Sequence, residues 1–273
     1  MKSKSREKLI RDLDVNQDFA VVNSGKGSLR AILFDGVSQS RAPRQWAECL
    51  AESYIEQKLN IRKLMKHSIE VEEWHSASLG KWNQWIEQHY LPQRQHLPEW
   101  RLKNEVASSF TTFVVLEIDS KMVRLANLGD SAIFCKLKTG EIKSLPSTYN
   151  HLLRPKNIST QKLYETSDME FASFNVDDVH SILACTDSIA DYIFDDDEAE
   201  MNLKYVECLN ALSTKGDKFD FMSNMIAKGP SNGGWLEDDV TFFSLVRNEQ
   251  SEPNEMEYSI EGSSETAIGG EEE

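Results

Sequence analysis

The feature that most constrains how this chain folds is a series of apolar, β-branched and aromatic runs that come in two batches. Short runs of this kind, bounded by turn residues, are typical of β-strands. They predict strands at 18–23, 29–34, 110–119, 123–130, 131–137, 179–187 and 239–247. Apolar residues at helical spacing predict helices within 42–60, 64–90 and 188–228. Helices that follow each batch of strands indicate an α+β fold with stacked sheets and outer helices, rather than alternating β-α-β units.

The charge of the chain is unevenly distributed. Of its 273 residues, 45 are acidic and 30 are Lys or Arg, which gives a net charge of -15. Nine of the acidic residues lie in 248–273, a stretch without Lys or Arg. We therefore expect one domain over 1–247 and an acidic, disordered tail over 248–273. Neither part has the basic character that binding to nucleic acid requires.

Nothing in the sequence indicates a membrane or an oxidising compartment. No apolar run reaches the length that spans a bilayer, and the basic N-terminal stretch lacks the apolar core of a secretory signal. The four cysteines (Cys49, Cys135, Cys185 and Cys208) are widely spaced and form no C-x-x-C pair. We therefore expect a cytoplasmic protein without a membrane partner, a disulfide framework or a structural zinc site.

Aspartates stand at the ends of several predicted strands. At Asp35 and Gly36, which end the run AILF, the simpler interpretation is a turn and the sharper one is a metal ligand at the edge of a sheet. Equivalent positions are occupied by Asp18, Asp130, Asp187, Asp238 and Asp239. If these ends converge, the carboxylates can stay ionised together only with cations between them. Such oxygen ligands favour Mg²⁺ or Mn²⁺.

Other kinds of site find no support in the sequence. It contains no nucleotide-binding P-loop, no G-x-S-x-G nucleophile elbow and no H-E-x-x-H zinc motif. His67 and His75 show no ligand spacing, and we interpret the six histidines as surface or packing residues. Trp74, Trp82 and Trp85 fall in a helical stretch and are best explained as core residues.

Six motifs occur in the order and rough spacing of a known family: VNQD, LFDGV, SSFTTFVVLEI, ANLGDS, LACTDS and DDVTFFSLV. Over residues 16–247 the chain thereby resembles the metal-dependent serine/threonine phosphatases, the type 2C protein phosphatase family. It looks most like a divergent bacterial-type member. The resemblance implies two packed antiparallel β-sheets flanked by helix pairs, an α-β-β-α sandwich.

The resemblance also implies a metal site. Asp35 would bridge two Mg²⁺ or Mn²⁺ ions, and the carbonyl of Gly36 would contact one of them. Asp187 and Asp238 would bind the second ion, although a one-residue shift would exchange Asp238 for Asp239.

Further roles concern a third ion, the water and the phosphate. Asp130, together with Asp187, would hold a third and looser ion. Asp18 would orient metal-bound water for attack on a phosphoserine or phosphothreonine of a protein. A cognate Ser/Thr kinase is a second candidate partner.

The sequence departs from the family pattern at several positions. The arginine that grips the substrate phosphate is replaced by Leu13, and Arg11 is the candidate substitute. Val37 and Ser188 stand where many members have His and Gly. Other candidates for the phosphate grip are Arg30, Arg41 and Arg44. These departures leave an alternative open: a catalytically weak or inactive phosphatase-fold module that acts by binding a partner.

Overall fold

The strands account for most of the ordered core. The computed structural model describes residues 17–25, 27–37, 40, 42–94, 98, 109–148, 155–194, 198–213, 241–247 and 256–262. Within these residues the strands are β1 Phe19–Gly25, β2 Ser28–Gly36, β3 Phe110–Ile118, β4 Met122–Leu128, β5 Ala132–Leu137, β6 Ile142–Leu145, β7 Ile158–Ser159, β8 Glu170–Asn175, β9 Val179–Cys185, β10 Thr241–Arg247 and β11 Met256–Gly262. The strands predicted at 18–23 and 29–34 correspond to β1 and β2, which pair as an antiparallel hairpin.

The strands form two antiparallel sheets. In the first sheet the order is β1-β2-β3-β4-β8, and the short β7 pairs with β3. In the second sheet the order is β11-β10-β9-β5-β6. Because β4 belongs to the first sheet and β5 to the second, the chain crosses between the sheets at residues 129–131.

The helices lie in two groups. The first group contains α1 Pro43–Glu56, α2 Ile61–Lys66 and α3 Ile69–Trp85, followed by a π-helical turn at Ile86–Tyr90 and a 3₁₀ turn at Leu91–Arg94. The second group contains α4 Asp187–Phe194 and α5 Glu198–Ser213. Two further 3₁₀ turns are Thr166–Asp168 and Val176–Asp178. Among the described helices, none combines the length and apolar character needed to cross a bilayer.

The apolar runs are unbroken because each central strand is covered on both faces. In β2, Ile32 and Phe34 pack in the core that includes α1, α2 and α3. The alternate residues Ala31 and Leu33 pack in a second core, which contains residues of both sheets. A strand with two buried faces therefore needs apolar residues at every position.

Strand β9 repeats this arrangement in the second sheet. Its residues Ile182 and Ala184 pack between the sheets, whereas Leu183 and Cys185 pack in a third core with α4 and α5. Three cores between four layers confirm the α+β class and the predicted α-β-β-α sandwich.

The predicted disorder of the whole tail is wrong for part of it. Residues 256–262 form β11, which pairs antiparallel with β10 over its full length. The sequence MEYSIEG alternates apolar and polar residues, a period that suits an edge strand. The prediction of disorder considered only the acidic composition of this stretch and so overlooked the alternation. The rest of 248–273 lies outside the described residues.

The stretch 141–175 also contains more structure than the sequence predicted. It holds the strands β6, β7 and β8, which have two to six residues each. Strands this short contain too few apolar residues to show a recognisable period in the sequence. They are held in place by backbone hydrogen bonds to neighbouring strands of the sheet.

The four cysteines, two of the predicted core tryptophans and one histidine are buried in the described part of the chain. All four cysteines are buried free thiols. Trp74 and Trp82 are buried in the first core, as predicted. His75 is also buried, where Nε2 lies 2.7 Å from the carbonyl oxygen of Ser159. This contact confirms a packing role for His75.

Candidate active site

Asp35 lies at the end of β2, on the strand face that points between the two sheets. It alternates with Leu33, which packs in the core between the sheets. Its Cα is paired with that of Thr112 in β3. Thr111 Oγ1 donates a 2.6 Å hydrogen bond to the main-chain oxygen of Asp35, and Ser131 Oγ donates one of 3.3 Å to Oδ2. The Asp35 carboxylate is therefore held by a hydroxyl from the start of the second sheet.

The Ser131 hydroxyl also connects Asp35 to a second aspartate through a chain of hydrogen bonds. Ser131 Oγ lies 2.9 Å from Thr112 Oγ1, and the Thr112 side chain is in turn hydrogen-bonded to Asp130. Asp35 and Asp130, which are far apart in sequence, thus belong to one network through two buried hydroxyls. These four residues come from the ends of β2, β3 and β4 and from the residue before β5.

A further carboxylate lies close to Asp130. Burial raises the pKa of Asp130 above its usual range, and the negative charge of Asp191 raises it further. Asp191 follows Asp187 by four residues on α4, so the two side chains share one helix face. Sequence reasoning missed Asp191, although this four-residue spacing in DSIAD was the available signal.

Asp187 reaches this region because of the register of the second sheet. Ala132, at the start of β5, is paired with Cys185, at the end of β9. The residues just before β5 and just after β9 therefore leave the sheet at the same edge. Thr186 makes two hydrogen bonds with Thr241 of β10. The N–H of Thr186 donates to the Thr241 carbonyl oxygen at 3.0 Å, and the Oγ1 of Thr186 accepts from the N–H of Thr241 at 3.1 Å.

Asp18, in the segment just before β1, is buried, with 2% of its surface exposed. A Cβ at Gly36 would collide with the carbonyl oxygen of Gln17 and lie 2.8 Å from Pro43 Cβ. The glycine therefore has a packing reason: it lets the segment before β1 approach the end of β2. Arg44, in the first turn of α1, donates from Nη1 to the Asp18 carbonyl oxygen at 3.2 Å.

The crossing between the sheets depends on Gly129. Its φ of +107° is a conformation that residues with a Cβ rarely adopt. A Cβ there would lie 2.5 Å from Thr112 Cβ and 2.7 Å from the carbonyl oxygen of Lys156. The glycine in ANLGD thus positions Asp130 and Ser131 against Thr112.

The structure distinguishes between the arginines that were candidates for binding the substrate phosphate. Arg30 lies at the other end of β2 from Asp35, five residues or about 17 Å away, and its Nε is 3.2 Å from Glu117 Oε1. Arg30 is therefore a wrong candidate. Arg44 is at the correct end, and its Nε donates to Glu48 Oε1 at 3.0 Å. Arg11 and Arg41 lie outside the described residues.

Part of the predicted metal site lies outside the described residues. Asp238 and Asp239 precede β10 and lie outside the described residues. In the part of the chain that is described, no group of three or more His, Cys, Asp or Glu side chains is arranged to hold a metal ion. The ligand assignments of Asp35, Gly36, Asp130, Asp187 and Asp238 therefore stay predictions, as does the role of Asp18.

Comparison with known proteins identifies the family. The protein phosphatase 2C model matches residues 8–227, so the chain belongs to the protein phosphatase 2C family. Comparison with curated proteins finds no match.

Two solved structures illustrate the shared fold. The serine/threonine phosphatase Stp1 from Staphylococcus aureus is 15% identical, over 86% of this chain and 90% of that chain, with a TM-score of 0.52. A bacterial serine phosphatase with one arginine-to-lysine substitution is 16% identical, over 92% and 94%, with a TM-score of 0.50. At these identities the likeness shows the fold alone.

Proposed function

We propose that this chain is a metal-dependent phosphatase that hydrolyses phosphoserine and phosphothreonine on proteins. The observation that carries the proposal is the network Asp35–Ser131–Thr112–Asp130 at the edge where the sheets meet. It joins two carboxylates from distant strand ends in one polar cluster. Membership of the protein phosphatase 2C family supports the same activity.

The chemistry of the donor set fits divalent cations. The donors at this edge are carboxylate, hydroxyl and carbonyl oxygens, which hard cations prefer. The repulsion between Asp130 and Asp191 would be relieved by a cation near both. The residues that would hold two or three Mg²⁺ or Mn²⁺ ions are Asp35, Gly36, Asp130, Asp187 and Asp238. When bound, the ions would lower the pKa of a water molecule and offset negative charge on the phosphoryl oxygens.

The other residues of the edge would orient these groups. Ser131 and Thr112 fix the rotamers of the carboxylates that they contact. Asp18, which is buried just before β1, would orient the attacking water. Arg44 contacts the Asp18 carbonyl and is a candidate, with Arg11, for binding the substrate phosphate. No side chain of the protein is needed as a nucleophile, because water attacks phosphorus directly.

The proposed substrate is a phosphorylated protein in the cytoplasm, and a cognate Ser/Thr kinase is the proposed second partner. A second candidate function is a phosphatase-fold module that binds a partner without turnover. The observation that favours it is Leu13 at the position of the phosphate-binding arginine. The two functions differ in turnover and not in fold, so an activity measurement separates them.

The test is hydrolysis of p-nitrophenyl phosphate and of a phosphothreonine peptide with Mn²⁺. We expect activity that EDTA abolishes and that falls at least about a hundredfold in Asp35→Asn, because charge stabilisation at the reacting centre is lost. Asp177→Asn is the matched control, since Asp177 is exposed on a 3₁₀ turn away from this edge. Full activity in Asp35→Asn would refute the assignment. Mn²⁺ binding by calorimetry without turnover would favour the partner-binding module.

A further inference from the structure

A polar cavity lies at the opposite end of the first sheet from Asp35. Its volume is about 370 Å³, within the usual range for sites that bind small ligands. Among its lining residues are Asn23, Arg30, Asn60, Arg62, Glu117 and Arg124. The same β2–β3 ladder that pairs Asp35 with Thr112 pairs Arg30 with Glu117. Five residues of strand separate the two pairs, so the cavity is distinct from the candidate active site.

The cavity carries a net positive charge although the chain as a whole is acidic. Three guanidinium groups line it, against the two carboxylates of Glu117 and Asp119. Glu117 is buried and is already bound from inside the protein, because its Oε1 accepts from the N–H of Ile61 at 3.1 Å. Burial raises the pKa of Glu117, which makes its negative charge harder to hold. The carboxylates therefore fix two of the arginines in place and leave one positive charge in excess.

Two of the arginines keep hydrogen-bond donors available. Arg30 Nε lies 3.2 Å from Glu117 Oε1, and its guanidinium carbon lies 5.8 Å from the centre of the Tyr54 ring. No hydrogen bond from its Nη atoms to another described residue is found. Arg62, exposed on α2, likewise makes no ion pair or hydrogen bond within the described part of the chain. Arg124 is held by Asp119, with Nη1 2.7 Å from Oδ2.

The donors approach the cavity from three directions. Arg30 comes from β2, Arg62 from α2 and Arg124 from β4. A planar carboxylate is satisfied by one guanidinium fork, whereas a tetrahedral anion presents oxygens in several directions. The side chains of Asn23 and Asn60 add polar groups at the wall. This arrangement suits a tetrahedral dianion.

We propose that this cavity is a second anion-binding site, which takes a phosphomonoester through Arg30, Arg62 and Arg124. The phosphoryl group can be carried by a phosphorylated segment of a protein or by a free small molecule. Both sources offer the same chemistry to the arginines. The site does not depend on hydrolysis at the Asp35 edge, so it can be tested by binding alone.

The test is titration of the full-length chain in EDTA with inorganic phosphate and with a short phosphothreonine peptide. Binding is followed by calorimetry and by amide chemical shifts. We expect saturable binding, with shifts at Asn23 and Asn60. Arg62→Gln should weaken it about tenfold, the usual size of one charge-assisted hydrogen bond. Lys66→Gln is the matched control: it removes one positive charge from the same helix, outside the cavity lining.

The two titrations also distinguish between the two possible ligands, a phosphorylated protein segment and a free small phosphate. Tighter binding of the phosphopeptide than of inorganic phosphate assigns the site to a phosphorylated protein segment, and equal binding assigns it to free small phosphates. Both results support the site. Acetate and the unphosphorylated peptide serve as negative probes. Phosphate that binds no better than acetate, or equally well to Arg62→Gln and to the parent protein, would overturn the proposal.

Discussion

Ser131 Oγ donates a 3.3 Å hydrogen bond to Asp35 Oδ2, and the two residues are 96 positions apart in the chain. The bond joins the residue just before β5, in the second sheet, to the end of β2, in the first. The orientation of the Asp35 carboxylate therefore depends on how the two sheets pack together. A hydroxyl between two sheets is a sensitive place to probe the candidate active site.

The first prediction concerns this hydroxyl. Ser131→Ala removes the hydrogen bonds to Asp35 and to Thr112, so the carboxylate gains rotational freedom. We expect kcat/KM for a phosphothreonine peptide to fall about tenfold, and the free energy of unfolding to fall by about 1 kcal/mol. Ser173→Ala, on the exposed face of β8, is the control and should change neither value. Unchanged kcat/KM in Ser131→Ala would show that the bond does not position Asp35.

The second prediction compares two glycines with positive φ. Gly129 and Gly140 have φ values of +107° and +92°, so alanine is strained at both. At Gly140 a Cβ meets nothing within 4 Å, whereas at Gly129 it collides with Thr112 and with the Lys156 carbonyl. We expect Gly140→Ala to cost about 1 kcal/mol of unfolding free energy and Gly129→Ala about 3 kcal/mol or more. Urea denaturation measures both; equal losses would contradict the steric argument.

The third prediction is a pH dependence of stability that arises from His75. Burial lowers its pKa below 6.5, while the unfolded chain keeps the ordinary value. Between these two pKa values the unfolded state binds more protons, so stability is lost as pH falls through this window. The loss from one such group is at most about 1.4 kcal/mol for each pH unit.

His75→Gln tests this origin, because glutamine can still donate to the Ser159 carbonyl but does not titrate. The variant should be less stable overall and should lose less stability than the parent protein between pH 6.5 and the lowered pKa. His89→Gln, at an exposed position, is the control. Urea unfolding at a series of pH values gives the curves. Parallel curves for His75→Gln and the parent protein would assign the pH dependence to other groups.

The fourth prediction tests β11. A chain that ends at Arg247 lacks the strand that pairs with β10 from Thr241 to Arg247. We expect its Tm to fall by at least about 5 °C, since seven residue pairs of the second sheet are lost. A chain that ends at Gly262 keeps β11 and should have the Tm of the full chain. Equal Tm values for both truncated chains would show that β11 adds no stability.

Much of the fold could be predicted from the sequence because the information is local. The run from Ala31 to Phe34 is apolar at every position, as a strand with two covered faces requires. The helix predicted within 42–60 is α1, and Trp46, Leu50 and Tyr54, which follow one another at four-residue spacing, are buried in it. The short strands β7 and β8 were missed, since their hydrogen-bonding partners lie far away in the sequence. Strand β6 forms a hairpin with β5 and was missed because its four residues are too few to show a period.

The sequence by itself determined which residues are acidic, where the long strands end and where glycines interrupt them. It did not determine which strand ends meet. The tertiary structure decided that Ser131 and Thr112 link Asp35 to Asp130 and that Asp191 lies close to Asp130. It also decided that Arg30 lines a cavity at the other end of the sheet. The physical reason is that strand periodicity is a property of a few neighbouring residues, whereas register and sheet packing depend on contacts across the whole chain.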